Sequence, residues 1–238
     1  MNANVSESNV IVDETIIQPN IKEKVELKKV LYKVIKRGID VLGGLVGCVL
    51  LVPITVGVYI ARIVLKENDG PMFYEHLRYG KGGKKFRIYK FRSMCIDADK
   101  KLKSYLEQNE EARKEFEENH KLKDDPRITK LGKFIRKTSI DELPQFINVL
   151  KGDMSLIGPR PIVNGEIEKY GDNRDKFLSV RPGLTGYWAA NGRSDITYEE
   201  RMKMELYYVD NISFKLDVQI FFKTIVSVIK KEGAMWWI

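Results

Sequence analysis

Asp141 and Glu142 stand side by side in the run Arg136-Lys137-Thr138-Ser139-Ile140-Asp141-Glu142-Leu143-Pro144-Gln145. Arg136 and Lys137 would hold Asp141 ionised rather than leave it a proton donor, because a neighbouring cation favours the charged form of a carboxyl group. An ionised carboxylate at a helix start can attack phosphorus or hold a metal ion. Adjacent helical residues project about 100° apart, so two separate roles suit the pair better than one shared proton. The same residues have a purely structural reading, since Ser139 followed three residues later by Glu142 makes a capping box. Arg160 lies between Pro159 and Pro161, which restrict its backbone and fix its direction. That setting suits a guanidinium clamping phosphate oxygens, or simply a rigid surface turn. Arg181-Pro182-Gly183 and Asn191-Gly192-Arg193 repeat the pairing of an arginine with a tight turn. Three such arginines near a carboxylate pair look like a diphosphate site.

The elements that carry these residues follow from pattern. Lys151-Gly152-Asp153 reads as a helix C-cap and turn. Residues 74–79 and 86–91 read as the strands of a hairpin across Lys81-Gly82-Gly83-Lys84, which lacks the G-x-x-x-x-G-K-[ST] spacing of a phosphate cradle. Residues 97–120 form a densely charged helical stretch, with Glu107, Glu111, Lys114 and Glu118 at near-helical spacing, read as a solvated face without chemistry. After Asp40 no charged side chain appears until Arg62, and the run 41–61 is long enough to cross a hydrocarbon core of ~30 Å. Pro53 sits near its middle, where a proline kinks or breaks a helix. Basic residues flank both ends, with Lys33, Lys36 and Arg37 before and Arg62 and Lys66 after, so the usual charge asymmetry of a crossing helix is missing. A bent helix that dips in and returns to the cytoplasmic face satisfies both observations; a kinked crossing helix is the alternative. Near the C-terminus Leu216, Ile220, Phe221, Ile225, Val228 and Ile229 recur at helical spacing among lysines, before Met235-Trp236-Trp237-Ile238. This stripe faces either a core or a membrane interface. Residues 1–28 lack the pattern of a cleavable signal peptide and read as a flexible polar tail or a weak helix.

The 238 residues include 41 Lys+Arg against 33 Asp+Glu, for a net charge of +8, and 43% apolar residues. Such a chain builds a packed core, which excludes disordered, collagen-like and low-complexity classes. Cys48 and Cys95 cannot form a disulfide framework, and with only His76 and His120 there is no zinc-ligand spacing. A reducing, cytosol-facing setting follows. The basic surplus fits nucleic acid or anionic lipid, and the uncharged run favours lipid.

Tyr89-Lys90-Phe91-Arg92-Ser93-Met94, Ser139-Ile140-Asp141-Glu142-Leu143-Pro144-Gln145, Asn148-Val149-Leu150-Lys151-Gly152-Asp153-Met154-Ser155, Gly158-Pro159-Arg160-Pro161 and Arg181-Pro182-Gly183-Leu184-Thr185-Gly186 occur in this order. Together they closely resemble the bacterial sugar transferase family, the monotopic phosphoglycosyl transferases, over roughly residues 32–234. The resemblance implies transfer of a sugar 1-phosphate from a UDP-sugar to undecaprenyl phosphate, with release of UMP, at the cytoplasmic face of the bacterial inner membrane. It places Asp141 as the nucleophile and Glu142 as its partner, helping to hold Mg²⁺. It places Lys90, Arg92, Arg136, Asp153, Arg160 and Arg181 as substrate-binding positions near the site. Many members have Ser before the membrane-breaking proline; here Val52 precedes Pro53, so the bend must rest on Pro53 and other contacts. Larger members carry several N-terminal membrane helices, and this chain resembles the minimal form. The stretch Gly192-Arg193-Ser194-Asp195 leans toward members that transfer galactose or glucose phosphates.

The expected architecture is mainly α with a small β-hairpin. A polar tail over 1–28 leads to a re-entrant, Pro-kinked membrane helix over 29–67 and a catalytic domain over 68–238 with interfacial amphipathic helices. The expected partners are the UDP-sugar, undecaprenyl phosphate and the bilayer, with no nucleic acid; homo-oligomerisation stays open. One rival has the same substrates react directly in a ternary complex, with Asp141 only binding metal. Another is a membrane-tethered binding protein, for which the paired carboxylate among arginines would be unnecessary.

Overall fold

Helix α1 (Glu14–Val64) contains the whole uncharged run and continues through Pro53. The segment Glu26–Val64 is long and apolar enough to cross a membrane, its most apolar 18-residue stretch having a mean hydropathy of 2.4. The computed structural model describes residues 14–119, 122–191 and 196–229. From Glu14 onward the expected tail is helical, so no boundary in secondary structure falls at residue 28. Packing instead divides the chain into Met1–Gly38 and Ile39–Ile238, and the apolar stretch beyond residue 38 belongs to the larger unit.

Within that unit, α1 is followed by the hairpin β1 (Phe73–Tyr79) and β2 (Lys85–Phe91), then by α2 (Ala98–Gln108), α3 (Glu110–Asn119), α4 (Lys130–Lys137) and α5 (Gln145–Lys151). A short strand β3 (Ser155–Ile157), helix α6 (Arg174–Leu178), strand β4 (Gly183–Thr185) and helices α7 (Tyr187–Asn191), α8 (Tyr198–Asp210) and α9 (Phe214–Ile229) complete it. The expected hairpin is present, with Phe73 opposite Phe91 and Tyr79 opposite Lys85. Its turn is a 3-10 turn at Lys81–Gly83. The parallel pairing of β3 with β4 was not expected. The charged stretch expected as one helix is two, parted at Asn109, whose extended backbone stops α2 and whose side chain accepts the Ala112 amide at 2.9 Å.

One face of α1 is sewn to this unit. Asp40, Gly44, Gly47, Leu51, Val58 and Arg62 recur at helical spacing and are buried, while Leu42, Leu45, Val49, Val52, Val56 and Ile60 are exposed. Missing side chains allow the close approach: a Cβ on Gly44 would lie 2.9 Å from Leu150, and one on Gly47 would fall within the Phe146 ring. Farther along, Leu51 and Val58 join Phe91, Leu131 and Ile135 in one core. At one end the Asp40 carboxylate accepts Ser155 Oγ at 2.9 Å and the Leu156 amide at 2.8 Å. At the other end Arg62, read from the sequence as part of a basic flank, is buried and donates to the carbonyls of Glu67, Asp69 and Gly70, each at 3.0 Å. Glu67 then accepts the amides of Lys130 at 2.8 Å and Leu131 at 3.1 Å, so the loop after α1 caps the start of α4.

Helix α9 answers the sequence's open choice with two faces. Leu216 and Ile220 pack inward, and Ile220 is 1% exposed, whereas Phe221, Phe222, Ile225 and Val226 are exposed. The side chains of Val228 and Ile229, and the run Met235-Trp236-Trp237-Ile238, lie outside the described residues.

Candidate active site

Lys90 reaches the carboxylate pair from β2, where alternation along the strand puts it on the face of Phe86 and Ile88. Those two side chains are buried against Val149 and Met154, so the strand cannot turn its lysine away. Asn148 of α5 completes the strand's other backbone edge, donating to the Arg87 carbonyl at 2.8 Å and accepting the Tyr89 amide at 3.1 Å. From this position Lys90 Nζ meets Glu142 Oε1 at 2.7 Å.

Arg136 arrives from the last turn of α4, a helix capped by the Thr129 side chain on the Gly132 amide at 2.9 Å. Its Nε donates to Ser93 Oγ at 2.9 Å, and its charge lies near Asp141 and then Asp125. The chain next turns sharply through Ser139, whose φ of 56° is left-handed. For a residue with a Cβ that conformation costs roughly 1–2 kcal/mol. Ile140–Glu142 forms a 3-10 turn, and the Ser139 side chain makes no cap bond. The capping box read from the sequence is therefore absent, because a left-handed Ser139 does not have the extended backbone of a cap and Glu142 is drawn to Lys90 instead.

Asp141 is 3% exposed and Glu142 5%. Burial raises the pKa of Asp141 against the opposing pull of Lys90 and Arg136. Burial likewise pushes Glu142 up to about 7, against Lys90 and with help from the Asp141 charge. The expectation that Arg136 and Lys137 would simply hold Asp141 ionised is thus corrected: Lys137 is exposed and desolvation outweighs the cations. Both carboxyls are raised by burial, and Glu142 titrates near neutrality.

Arg160 leaves β3 through the two prolines, its amide held by Glu205 Oε1 at 3.1 Å and its guanidinium within electrostatic reach of Glu142. The structure thus gathers Lys90, Arg136, Asp141, Glu142 and Arg160. Three other expected residues make their contacts elsewhere. Arg92 donates to the Pro71 carbonyl at 2.8 Å and lies over the Tyr74 ring. Asp153 faces Asn148 at 3.4 Å and Lys151 at 3.6 Å at the end of α5. Arg181 is exposed and donates to the Gly152 carbonyl at 2.9 Å. Arg193 lies outside the described residues.

The sequence profile of bacterial sugar transferases matches residues 31–231. The chain belongs to that family. It is 45% identical over 200 residues to an undecaprenyl-phosphate galactose phosphotransferase of Salmonella typhimurium, covering 84% of this chain and 41% of that protein. An uncharacterized sugar transferase of Haemophilus influenzae is 45% identical over 208 residues, which are 87% of this chain and 44% of that protein. The exopolysaccharide production protein ExoY of Sinorhizobium fredii is 39% identical over 199 residues, covering 84% of this chain and 87% of ExoY. The chain therefore spans less than half the length of the first two relatives.

This sugar transferase also carries site residues that motif reading passed over. On the hairpin face of Lys90 stand His76 and Arg78, and Arg201 of α8 joins Arg160 at the Trp188 ring. The alternation of β1 was the available signal for His76 and Arg78. None existed for Arg201, which lies in an ordinary charged helix.

Proposed function

We propose that this bacterial sugar transferase is a phosphoglycosyl transferase that moves a sugar 1-phosphate from a UDP-sugar to undecaprenyl phosphate. The products are UMP and an undecaprenyl-diphosphate sugar, and the step opens exopolysaccharide or capsule assembly at the cytoplasmic face of the inner membrane. The observation that carries the reading is the buried Asp141–Glu142 pair, bound by Lys90 and flanked by Arg136 and Arg160, in a unit that packs on an apolar helix. A tethering protein has no use for two desolvated carboxylates. Relatives named for galactose and N-acetylgalactosamine phosphotransfer support a hexose or its acetamido form as cargo.

In this mechanism an Asp141 carboxylate oxygen bonds to the sugar-bearing phosphorus and the bond to the bridging oxygen breaks, its electrons leaving with UMP. A lipid phosphate oxygen then attacks the same phosphorus and the acyl–phosphate bond breaks, which restores the carboxylate. Lys90 and Arg136 offset the charge gathered at the attack, and burial keeps water from the intermediate. Among the described residues no cluster of three or more His, Cys, Asp and Glu side chains comes together. Two adjacent carboxylates nonetheless fit Mg²⁺, which is held by one or two protein oxygens together with substrate phosphates. Glu142 would hold it, and the bound ion would supply neutralisation of the diphosphate. UMP release from UDP-sugars, assayed with undecaprenyl phosphate in detergent, tests the reading. Release beyond one equivalent per protein should require the lipid, and release should fall to background after thorough chelation; full activity in chelator would remove the metal, and no release with any UDP-hexose would remove the function.

The membrane segment is proposed to be re-entrant. Its two ends, Asp40 and Arg62, are both held by the same unit, which supports a helix lying along the catalytic domain rather than one leaving it for the far side. The exposed aromatic and aliphatic face of α9 supplies further area for interfacial docking. Cysteines placed before residue 33 and after Lys66 should resist an impermeant thiol reagent equally in intact cells. Labelling of the first alone would require a crossing helix.

A further inference from the structure

We infer that Arg78 and Arg201, acting with Arg160, form the subsite that takes the phosphate of the departing nucleotide. The inference rests on the transferase reading above. Three guanidiniums from distant parts of the chain, β1, the Pro159–Pro161 turn and α8, meet here. Arg160 and Arg201 lie 5.8 Å and 5.2 Å from the centre of one Trp188 ring, and Arg201 is also 5.0 Å from the Tyr198 ring. Like charges brought together out of water need anions; besides Glu142 toward the carboxylate pair, Glu166 and Glu205 are the carboxylates that act on these arginines. Glu166 approaches Arg201 at 3.6 Å but also accepts the Val163 amide. Glu205 accepts the Arg160 amide, and burial pushes it up to about 7, so it is only a partial counter-charge at neutral pH. Mutual repulsion shows on Arg160, which burial and then Arg201 and Arg78 bring down to about 10. Buried Arg78 Nε and Arg201 Nε and Nη2 have no hydrogen-bond partner among the described residues. Phosphate oxygens would supply acceptors and charge together. A cavity of about 370 Å³ opens beside Arg78, lined also by His76, Lys85 and Asn164.

Direction selects the nucleotide side. Asp141 has Lys90 and Arg136 as its cations, whereas Glu142 has Lys90 and Arg160, and Arg78 also feels Glu142. The cluster therefore meets the carboxylate pair on the Glu142 side. In an in-line displacement the leaving oxygen departs opposite the attacking one. With Asp141 as nucleophile, UMP leaves toward the cluster.

The test uses the full chain in detergent and UMP as the probe, with binding measured directly and as product inhibition. Arg78→Gln and Arg201→Gln should each weaken UMP by roughly 10- to 100-fold, as expected for loss of charge-assisted bonds, and raise the KM for the UDP-sugar. Displacement of Asp141 brings the lipid phosphate in from the side that UMP has left, so the subsite is read from UMP and the UDP-sugar rather than from the lipid KM. Arg→Lys should recover part of the loss, because charge returns without the fork. UMP affinity unchanged in Gln variants that melt like the parent would overturn the subsite, as would a loss confined to the lipid KM. If a Gln variant does not fold, the Lys variants carry the same comparison. A parent that binds UMP through these arginines yet releases none from any UDP-sugar would sink the transferase reading and leave the subsite standing.

Discussion

Incubated with a UDP-sugar labelled in its sugar-bearing phosphorus and given no lipid, the protein is expected to retain label at Asp141, and Asp141→Asn to retain none. The expectation rests on position. Asp141 is almost fully buried on a strained turn, beside Lys90 and Arg136, so a phosphoryl group reaching it leaves water and meets fixed cations. One pocket must serve a soluble nucleotide and a membrane-bound phosphate, and covalent capture lets it serve them in turn. Turnover by Asp141→Asn should fall more than ~10³-fold, the scale on which removal of a nucleophile acts. Initial rates in the parent should give parallel double-reciprocal lines. Intersecting lines with no trapped adduct would instead favour direct transfer between bound substrates, with the family unchanged.

Activity should rise with pH across neutrality, with an apparent pKa near that of Glu142, about 7. Both carboxyls of the pair are raised by burial, so acid protonates the nucleophile before it can act, and the limb belongs to the pair as a unit. Glu142→Gln removes the like charge beside Asp141 and frees Lys90 to serve it. The residual activity, lower by roughly 10²–10⁴-fold, should therefore keep its acid limb at a lower pH than the parent. A limb that stays in place would show that the Glu142 charge does not act on Asp141. Stability carries the same sign. Below the ordinary carboxyl value of 4.5 the folded and unfolded chains both hold the Glu142 proton; between there and about 7 only the folded chain does. Stability from this group is thus full in acid and is lost as pH rises through about 7. The parent's melting temperature should fall across that window and the Gln variant's should fall less, the rest coming from Asp141 and Glu205, whose carboxyls burial also raises.

The outcome at Ser139 marks a limit of local reading. Spacing makes Ser139 and Glu142 a capping box, and only the pull of Lys90, 52 residues away, and the left-handed turn decide otherwise. The sign of the carboxyl shifts was equally out of reach, because charge can be counted along a chain whereas desolvation depends on what packs over it. Arg62 shows the same thing for topology: composition placed it among lipid-facing cations, and folding spends it on three loop carbonyls.

The amino-acid sequence by itself determined the local parts of this protein: the hairpin, the uncharged helix around Pro53, the glycine that ends α5 at Gly152, and a carboxylate pair followed by an arginine between prolines. Each depends on backbone preference or on hydrophobic periodicity over a few residues, and a linear string records both. The tertiary structure alone decided which cations meet Asp141 and Glu142, that Asp153 and Arg181 gather at the end of α5, and that Arg160 and Arg201 converge on Trp188 within electrostatic reach of Arg78. Those pairings join residues from separate elements, and their energies come from burial and from distance through space, which exist only once the elements have packed.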